Sequence, residues 1–193
     1  MRSVFLPFSP PDIPDEGIRA VEEVLRSDWP TTGARARQFE EEFAALVGSP
    51  AALAVNSGTA AMQVSLAAYG VRAGDRVATT PLTFCATSHV IEHLGATPVF
   101  VDVDPETLNI SPSELERALA REKVAAIMPV HLHGHPCEMD AILALARKHG
   151  CVVVEDAAHA FPATYRGGHV GSLATRAGLP GSACFSFYAT KNI

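Results

Sequence analysis

The chain has 193 residues, 48% hydrophobic and 19% charged, which is enough apolar material for a buried core and suits one domain better than two. With 15 Lys and Arg against 21 Asp and Glu the formal net charge is −6, so nothing draws the surface as a whole to a polyanion. Nucleic-acid binding is not expected, whereas a small anionic ligand needs only local positive potential.

The opening residues Met1 to Pro7 lack an apolar core followed by a small-residue cleavage site, and no segment approaches the length of a membrane span. A cytoplasmic protein with no membrane attachment is the expectation. Residues 15–27 and 35–47 have the apolar spacing of amphipathic helices and flank the loop Trp29-Pro30-Thr31-Thr32-Gly33. Past residue 50, short β-rich runs at 52–56, 76–80, 97–101, 124–130, 151–155 and 183–187 alternate with helical patterns. That alternation predicts βαβ units. Runs such as Val124-Ala125-Ala126-Ile127-Met128 and Cys151-Val152-Val153-Val154 are apolar at successive positions, as strands covered on both sides must be.

The fold class is therefore α/β: a largely parallel, mixed sheet with helices on both faces. Residues 1–50 form N-terminal helices and a rim loop, and 51–193 form the sheet domain. Ser111-Pro112-Ser113-Glu114 marks a helix start with proline in its first turn, and Lys148-His149-Gly150 marks a basic last turn closed by glycine. The four cysteines, Cys85, Cys137, Cys151 and Cys184, form no CxxC pair and read as reduced and mostly buried.

Ligands of an open α/β sheet bind at the carboxyl ends of its strands. After the first β-rich run, Asn56-Ser57-Gly58-Thr59 reads as a tight turn into a helix, whose free N–H groups and positive dipole end favour a phosphate; alone, Ser57 reads more readily as a plain helix cap. Asp156 follows a buried strand, where an ionised acid calls for a cationic partner; alone it reads as a turn cap. Lys191 follows an apolar strand containing Ser186, and a lysine in a pocket has the lowered pKa that suits Schiff-base chemistry; alone, near a terminus, it is surface decoration. A phosphate nest, an acid for a pyridinium nitrogen and a lysine for an aldehyde are together the protein groups that pyridoxal phosphate (PLP) needs.

Five runs carry a resemblance: Asn56-Ser57-Gly58-Thr59-Ala60-Ala61, the stretch from Gly95 to Asp104, Pro129-Val130-His131-Leu132-His133-Gly134, Glu155-Asp156-Ala157-Ala158-His159-Ala160, and Phe185-Ser186-Phe187-Tyr188-Ala189-Thr190-Lys191-Asn192. In order and over nearly the whole chain they resemble the DegT/DnrJ/StrS-type sugar aminotransferases of fold-type I. The resemblance implies the large domain of that fold, with Lys191 forming the aldimine, Asp156 on the pyridine nitrogen, and Gly58, Thr59 and Ser186 on the phosphate. It also implies that Phe84 stacks on the ring, in place of simple core packing, and that His159 lies near the ring beside Asp156. The implied reaction is ping-pong, through pyridoxamine phosphate, from glutamate or glutamine to a nucleotide-linked keto-sugar, in a homodimer. A lysine at 191 favours transamination over the family's deoxygenating relatives.

Pro162 stands where such proteins often have glycine, and 174–182 is longer than their usual connection. Family members continue beyond the lysine into more of the large domain and a small C-terminal domain, so a chain ending two residues after Lys191 is expected to be inactive alone, its lysine on a fraying terminus. Three other readings stand beside this one. A non-catalytic relative would keep the fold without turnover. A metal-dependent hydrolase would use the alternating His131, His133 and His135, although Gly134 and Pro136 interrupt any regular strand there. A dinucleotide oxidoreductase would need a GxGxxG that the first turn lacks.

Overall fold

The computed structural model describes Phe5 and residues 12–191. The rest of the opening segment, with Asn192 and Ile193, lies outside the described residues. Two helices lead: α1 (Asp15–Leu25) and α2 (Ala34–Val47), the second closed by Gly48 in the left-handed conformation at φ 72°. Helix α1 has no buried residue, and Ile18, Val21 and Leu25 on it are exposed.

From α3 (Gly58–Ala68) onward the chain alternates as expected. The strands are β1 (Arg76–Thr79), β2 (Thr97–Phe100), β3 (Ala126–Met128), β4 (Val152–Asp156), a hairpin of β5 (Thr164–Tyr165) with β6 (Gly168–His169), and β7 (Gly181–Cys184). Between them run α4 (Ala86–His93), α5 (Pro112–Arg121), α6 (Met139–His149) and the short α7 (Leu173–Arg176). Among the described residues the main sheet has five strands in the order β2-β1-β3-β4-β7, every pair parallel; the separate β5–β6 hairpin is antiparallel. Strand order reverses at β1, so the crevice where such sheets bind ligands opens beyond the carboxyl ends of β1, β3 and β4.

The runs apolar at successive positions have their explanation in two separate cores. Val77, Ala126, Met128, Val154 and Cys184 face the layer holding Met62 and Leu66 of α3 with Val90 and Ile91 of α4. Their neighbours Ala78, Ile127 and Val153 face Leu115 and Leu119 of α5 and Ile142 and Ala146 of α6. Each fully buried aliphatic side chain contributes about 1.5–3 kcal/mol, so both layers must form for the central strands to hold. Local signals match: Ser111 Oγ accepts the Glu114 N–H with Pro112 in the first turn of α5, and Gly150 closes α6 at φ 69°. All four cysteines are free; three are buried and Cys85 is exposed. Among the described residues no helix is long and apolar enough to cross a membrane.

Two expected strands differ. Residues 52–56 form no strand: the Ala54 N–H donates to Glu40 Oε1 of α2 at 2.8 Å in place of a strand carbonyl, and Leu53 is exposed. A groove of about 700 Å³ runs between this segment and the free edge of β7. The last strand lies at Gly181–Cys184 and not at 183–187, because its partner β4 ends at Asp156, opposite Cys184. Residues 174–182 hold the end of α7, a turn and the start of β7, with α7 packed against that strand. Gly181 is obligatory there, since a Cβ would meet Ala174 Cβ at 2.6 Å and the Val153 carbonyl at 2.7 Å.

Candidate active site

Strand β4 ends in two adjacent acids, and strand alternation sends them to opposite faces. Glu155 points toward α6 and is 1% exposed; its Oε2 lies 2.9 Å from Nε2 of the fully buried His131. The Cys137 N–H donates to Nδ1 of the same ring at 3.0 Å. A carboxylate alone would favour an imidazolium, but Nδ1 must keep a lone pair for Cys137, so the ring carries its proton on Nε2 and donates it to Glu155.

Asp156 points the other way, toward α4. Its Oδ2 accepts from Thr87 Oγ1 at 2.7 Å and its Oδ1 from the Ala158 N–H at 3.2 Å, with the residue 5% exposed. Three residues on, His159 Nε2 accepts a hydrogen bond from Lys191 Nζ at 2.8 Å. Burial lowers the His159 pKa from its usual value, the positive charge of Lys191 adds to that, Asp156 opposes it, and His133 contributes a further lowering. His133, held at φ 52°, lies with its ring within 10° of parallel to that of His159, centroids 6.1 Å apart. Histidine is among the non-glycine residues that tolerate this left-handed backbone.

The phosphate-type turn is formed by a close approach. Ser57 caps α3, its Oγ accepting from the Ala60 N–H at 3.1 Å, so the first N–H groups, Gly58 and Thr59, have no acceptor within the helix. A Cβ on Gly58 would lie 3.1 Å from the Phe185 carbonyl and 3.2 Å from Ser186 Cβ. The glycine thus lets the positive end of α3 sit against Ser186, bringing Ser57, Gly58, Thr59 and Ser186 to one place. The segment carrying Ser186 toward Lys191 is anchored by Phe43 of α2, whose ring lies between 5.0 and 5.6 Å from those of Phe39, Phe161, Phe185 and Phe187. The 700 Å³ groove touches this site only through Ser57, Gly58 and Ser186; Asp156, His159 and Lys191 are not in its lining.

Phe84, in the loop after β1, is 72% exposed and so lies outside the two cores described above. The three alternating histidines do not act together: His131 is committed to Glu155, His133 lies against His159, and the His135 carbonyl is held by Asn109 Nδ2. Among the described residues no group of three or more His, Cys, Asp or Glu could hold a metal ion. Sequence reasoning missed Thr87 and the His131–Glu155 pair. The 69 positions between Thr87 and Asp156 leave no local signal, although the hydroxyls of Thr83 and Thr87, four apart at a helix start, are a weak one.

The model of the DegT/DnrJ/EryC1/StrS aminotransferase family matches residues 11–193. The spore coat polysaccharide biosynthesis protein SpsC of Bacillus subtilis is 50% identical over 192 residues, covering 100% of this chain and 48% of SpsC. Among solved structures, Spr1654 of Streptococcus pneumoniae in its PLP form superposes with a TM-score of 0.88 at 34% identity, over 97% of this chain and 50% of that one. DesI, solved in the presence of its TDP-sugar product, superposes with a TM-score of 0.83 at 34% identity, over 95% of this chain and 45% of that one. The chain spans about half the length of the relatives it matches.

Proposed function

The chain belongs to the DegT/DnrJ/EryC1/StrS aminotransferase family, and on that premise we propose that it carries the cofactor site of a PLP-dependent aminotransferase that aminates a nucleotide-linked keto-sugar. Glutamate or glutamine is the proposed amino donor. Residues 51–193 are the proposed PLP domain and 1–50 its helical rim, in a homodimeric cytoplasmic enzyme. The observation that carries the reading is the convergence of Asp156, His159 and Lys191 at the strand ends, with the Lys191–His159 hydrogen bond of 2.8 Å at its centre. The family match and the TDP-sugar product of DesI support the substrate class.

The residues present fit the cofactor. The α3 N-terminus with Ser57, Gly58, Thr59 and Ser186 offers N–H and hydroxyl donors to a phosphate, Asp156 offers a fixed carboxylate to a pyridinium N–H, and Phe84 offers a ring face. PLP bound there supplies an electron sink for the carbanion left when a substrate Cα loses its proton.

The chain's own groups do the rest. Lys191 Nζ would hold the cofactor aldehyde until an incoming amine displaces it, and then serve as the base at Cα. To act as a base, Nζ must first shed a proton. His159 Nε2 accepts a hydrogen bond from that nitrogen and orients it, and burial with neighbouring positive charge keeps the ring unprotonated and able to accept. Asp156, gripped from two elements, would hold the pyridinium proton without swinging away.

The test is borohydride reduction of the protein with PLP, followed by peptide mapping. Covalent label on Lys191, absent in Lys191→Ala, and a visible absorbance band bleached by glutamate are expected. Asp156→Asn should keep the label and slow the bleaching by about a hundredfold or more, as loss of a fixed electrostatic partner does. An unlabelled Lys191 both in this chain and in a longer protein that contains it would sink the proposal; label in the longer protein alone would say that residues outside this chain complete the site.

A further inference from the structure

Thr87 lies in the first turn of α4 and is fully buried, with three polar atoms around its hydroxyl. Asp156 Oδ2 is at 2.7 Å, Thr83 Oγ1 at 2.8 Å and the Phe84 carbonyl at 3.1 Å. A hydroxyl has one proton to donate, so these contacts cannot all be of one kind. The ionised carboxylate only accepts, and 2.7 Å is the length of a charge-assisted O–H···O⁻ bond, so the Thr87 proton goes to Asp156. Thr83 must then donate to Thr87. The result is an ordered chain, Thr83 O–H to Thr87 O–H to Asp156, in which each bond polarises the next.

A buried threonine in a helix satisfies its hydroxyl on the carbonyl three or four residues back. The Phe84 carbonyl is available for that, and it already receives the Thr87 N–H at 3.1 Å, so the fold asks nothing more of this side chain. The stronger bond nonetheless leaves the helix for the end of β4. Together with the Ala158 N–H on Oδ1, it fixes the carboxylate plane from two separate elements. The Thr87 N–H meanwhile holds the Phe84 carbonyl, so the acid and the loop that carries Phe84 are fixed by one residue.

We infer that Thr87 is the positioning residue for Asp156, with Thr83 acting through it, in the chemistry proposed above, on which this inference rests. The hydroxyl chain aims the carboxylate at the pyridinium N–H.

The experiment compares Thr87→Val, which keeps shape and loses the hydroxyl, with Thr87→Ser, which keeps the hydroxyl, alongside Thr83→Val and Asp156→Asn. The readouts are the PLP dissociation constant, the pH midpoint of the visible cofactor band, and Tm. Thr87→Val should bind PLP on the order of tenfold more weakly, with a displaced midpoint, and Thr87→Ser should return to within about threefold of wild type. Thr83→Val should show the same changes in smaller measure, and it carries the test if Thr87→Val does not fold. A Thr87→Val protein with lowered Tm but wild-type affinity and midpoint, or a Thr87→Ser protein as impaired as Thr87→Val, overturns the inference. Should Asp156→Asn also leave affinity and midpoint unchanged, the assignment of Asp156 has failed; a shift in Asp156→Asn without one in Thr87→Val condemns the Thr87 role alone.

Discussion

Nζ of Lys191 donates to Nε2 of His159, which leaves the imidazole a lone pair on Nε2 and its single proton on Nδ1. Burial, then Lys191, and after them His133, lower the ring's pKa from 6.5, against an upward pull from Asp156. The bond therefore persists at neutral pH and breaks only when acid protonates the ring. Because the unfolded chain takes up that proton first as pH falls, the stabilisation is complete above pH 6.5 and is lost as pH drops through the folded-state value. An NMR titration of the histidine Cε1 protons, with His159 assigned through His159→Gln, should give a midpoint below 6.5. A midpoint at or above the ordinary value contradicts the arrangement.

Gly58 is the hinge between the helix end and Ser186. Gly58→Val puts branched carbon where 3.1 Å separates a Cβ from the Phe185 carbonyl, so the α3 terminus must retreat. We expect a stability loss of about 1–3 kcal/mol from overpacking and weaker binding of both PLP and inorganic phosphate. Denaturant unfolding and a phosphate competition assay would measure the two effects; unchanged phosphate affinity would remove this turn from the site.

Glu155→Ala leaves the buried His131 without the acceptor of its Nε2–H. Leaving that buried donor unsatisfied costs about 1–3 kcal/mol, and urea unfolding should show a loss of that order. Prior treatment with a chelator should leave the wild-type midpoint where it was, since His131 is spent on structure. A large drop on chelation would revive a metal role for the His131, His133 and His135 segment.

The parts of the fold legible in the sequence were those set by short-range pattern. Val77 with Ala78, and Ile127 with Met128, advertise two covered faces, and Ser111-Pro112 and Gly150 mark helix ends whatever surrounds them. Residues 52–56 carry the same β-rich character, but a strand exists only where a neighbour supplies carbonyls, and Glu40 supplies the acceptor here. At the site, Ser57 and Asp156 were visible because one stands at a helix start and the other at a strand end, and Lys191 because it follows an apolar run. The companions of Asp156 and His131 were not, for Thr87 is 69 positions from Asp156 and Glu155 is 24 from His131; only folding makes them neighbours. The period-two spacing of His131, His133 and His135 was true to the sequence and empty of meaning, since a 3₁₀ turn at Leu132–Gly134 disperses the rings.

The end of β4 turns the pleat of a strand into a division of labour between two identical functional groups. Glu155 and Asp156 differ in the chain by one methylene and one position, yet one carboxylate braces the interior against His131 and the other, held by Thr87, is the one proposed to meet a ligand. Which acid does which is decided by parity alone. Deleting or duplicating a single residue among Val152, Val153 and Val154 would exchange their faces, delivering the brace to the ligand side and the ligand group to the brace. The stretch of three valines is thus a counter as well as a core, and its length is under a stricter constraint than its composition.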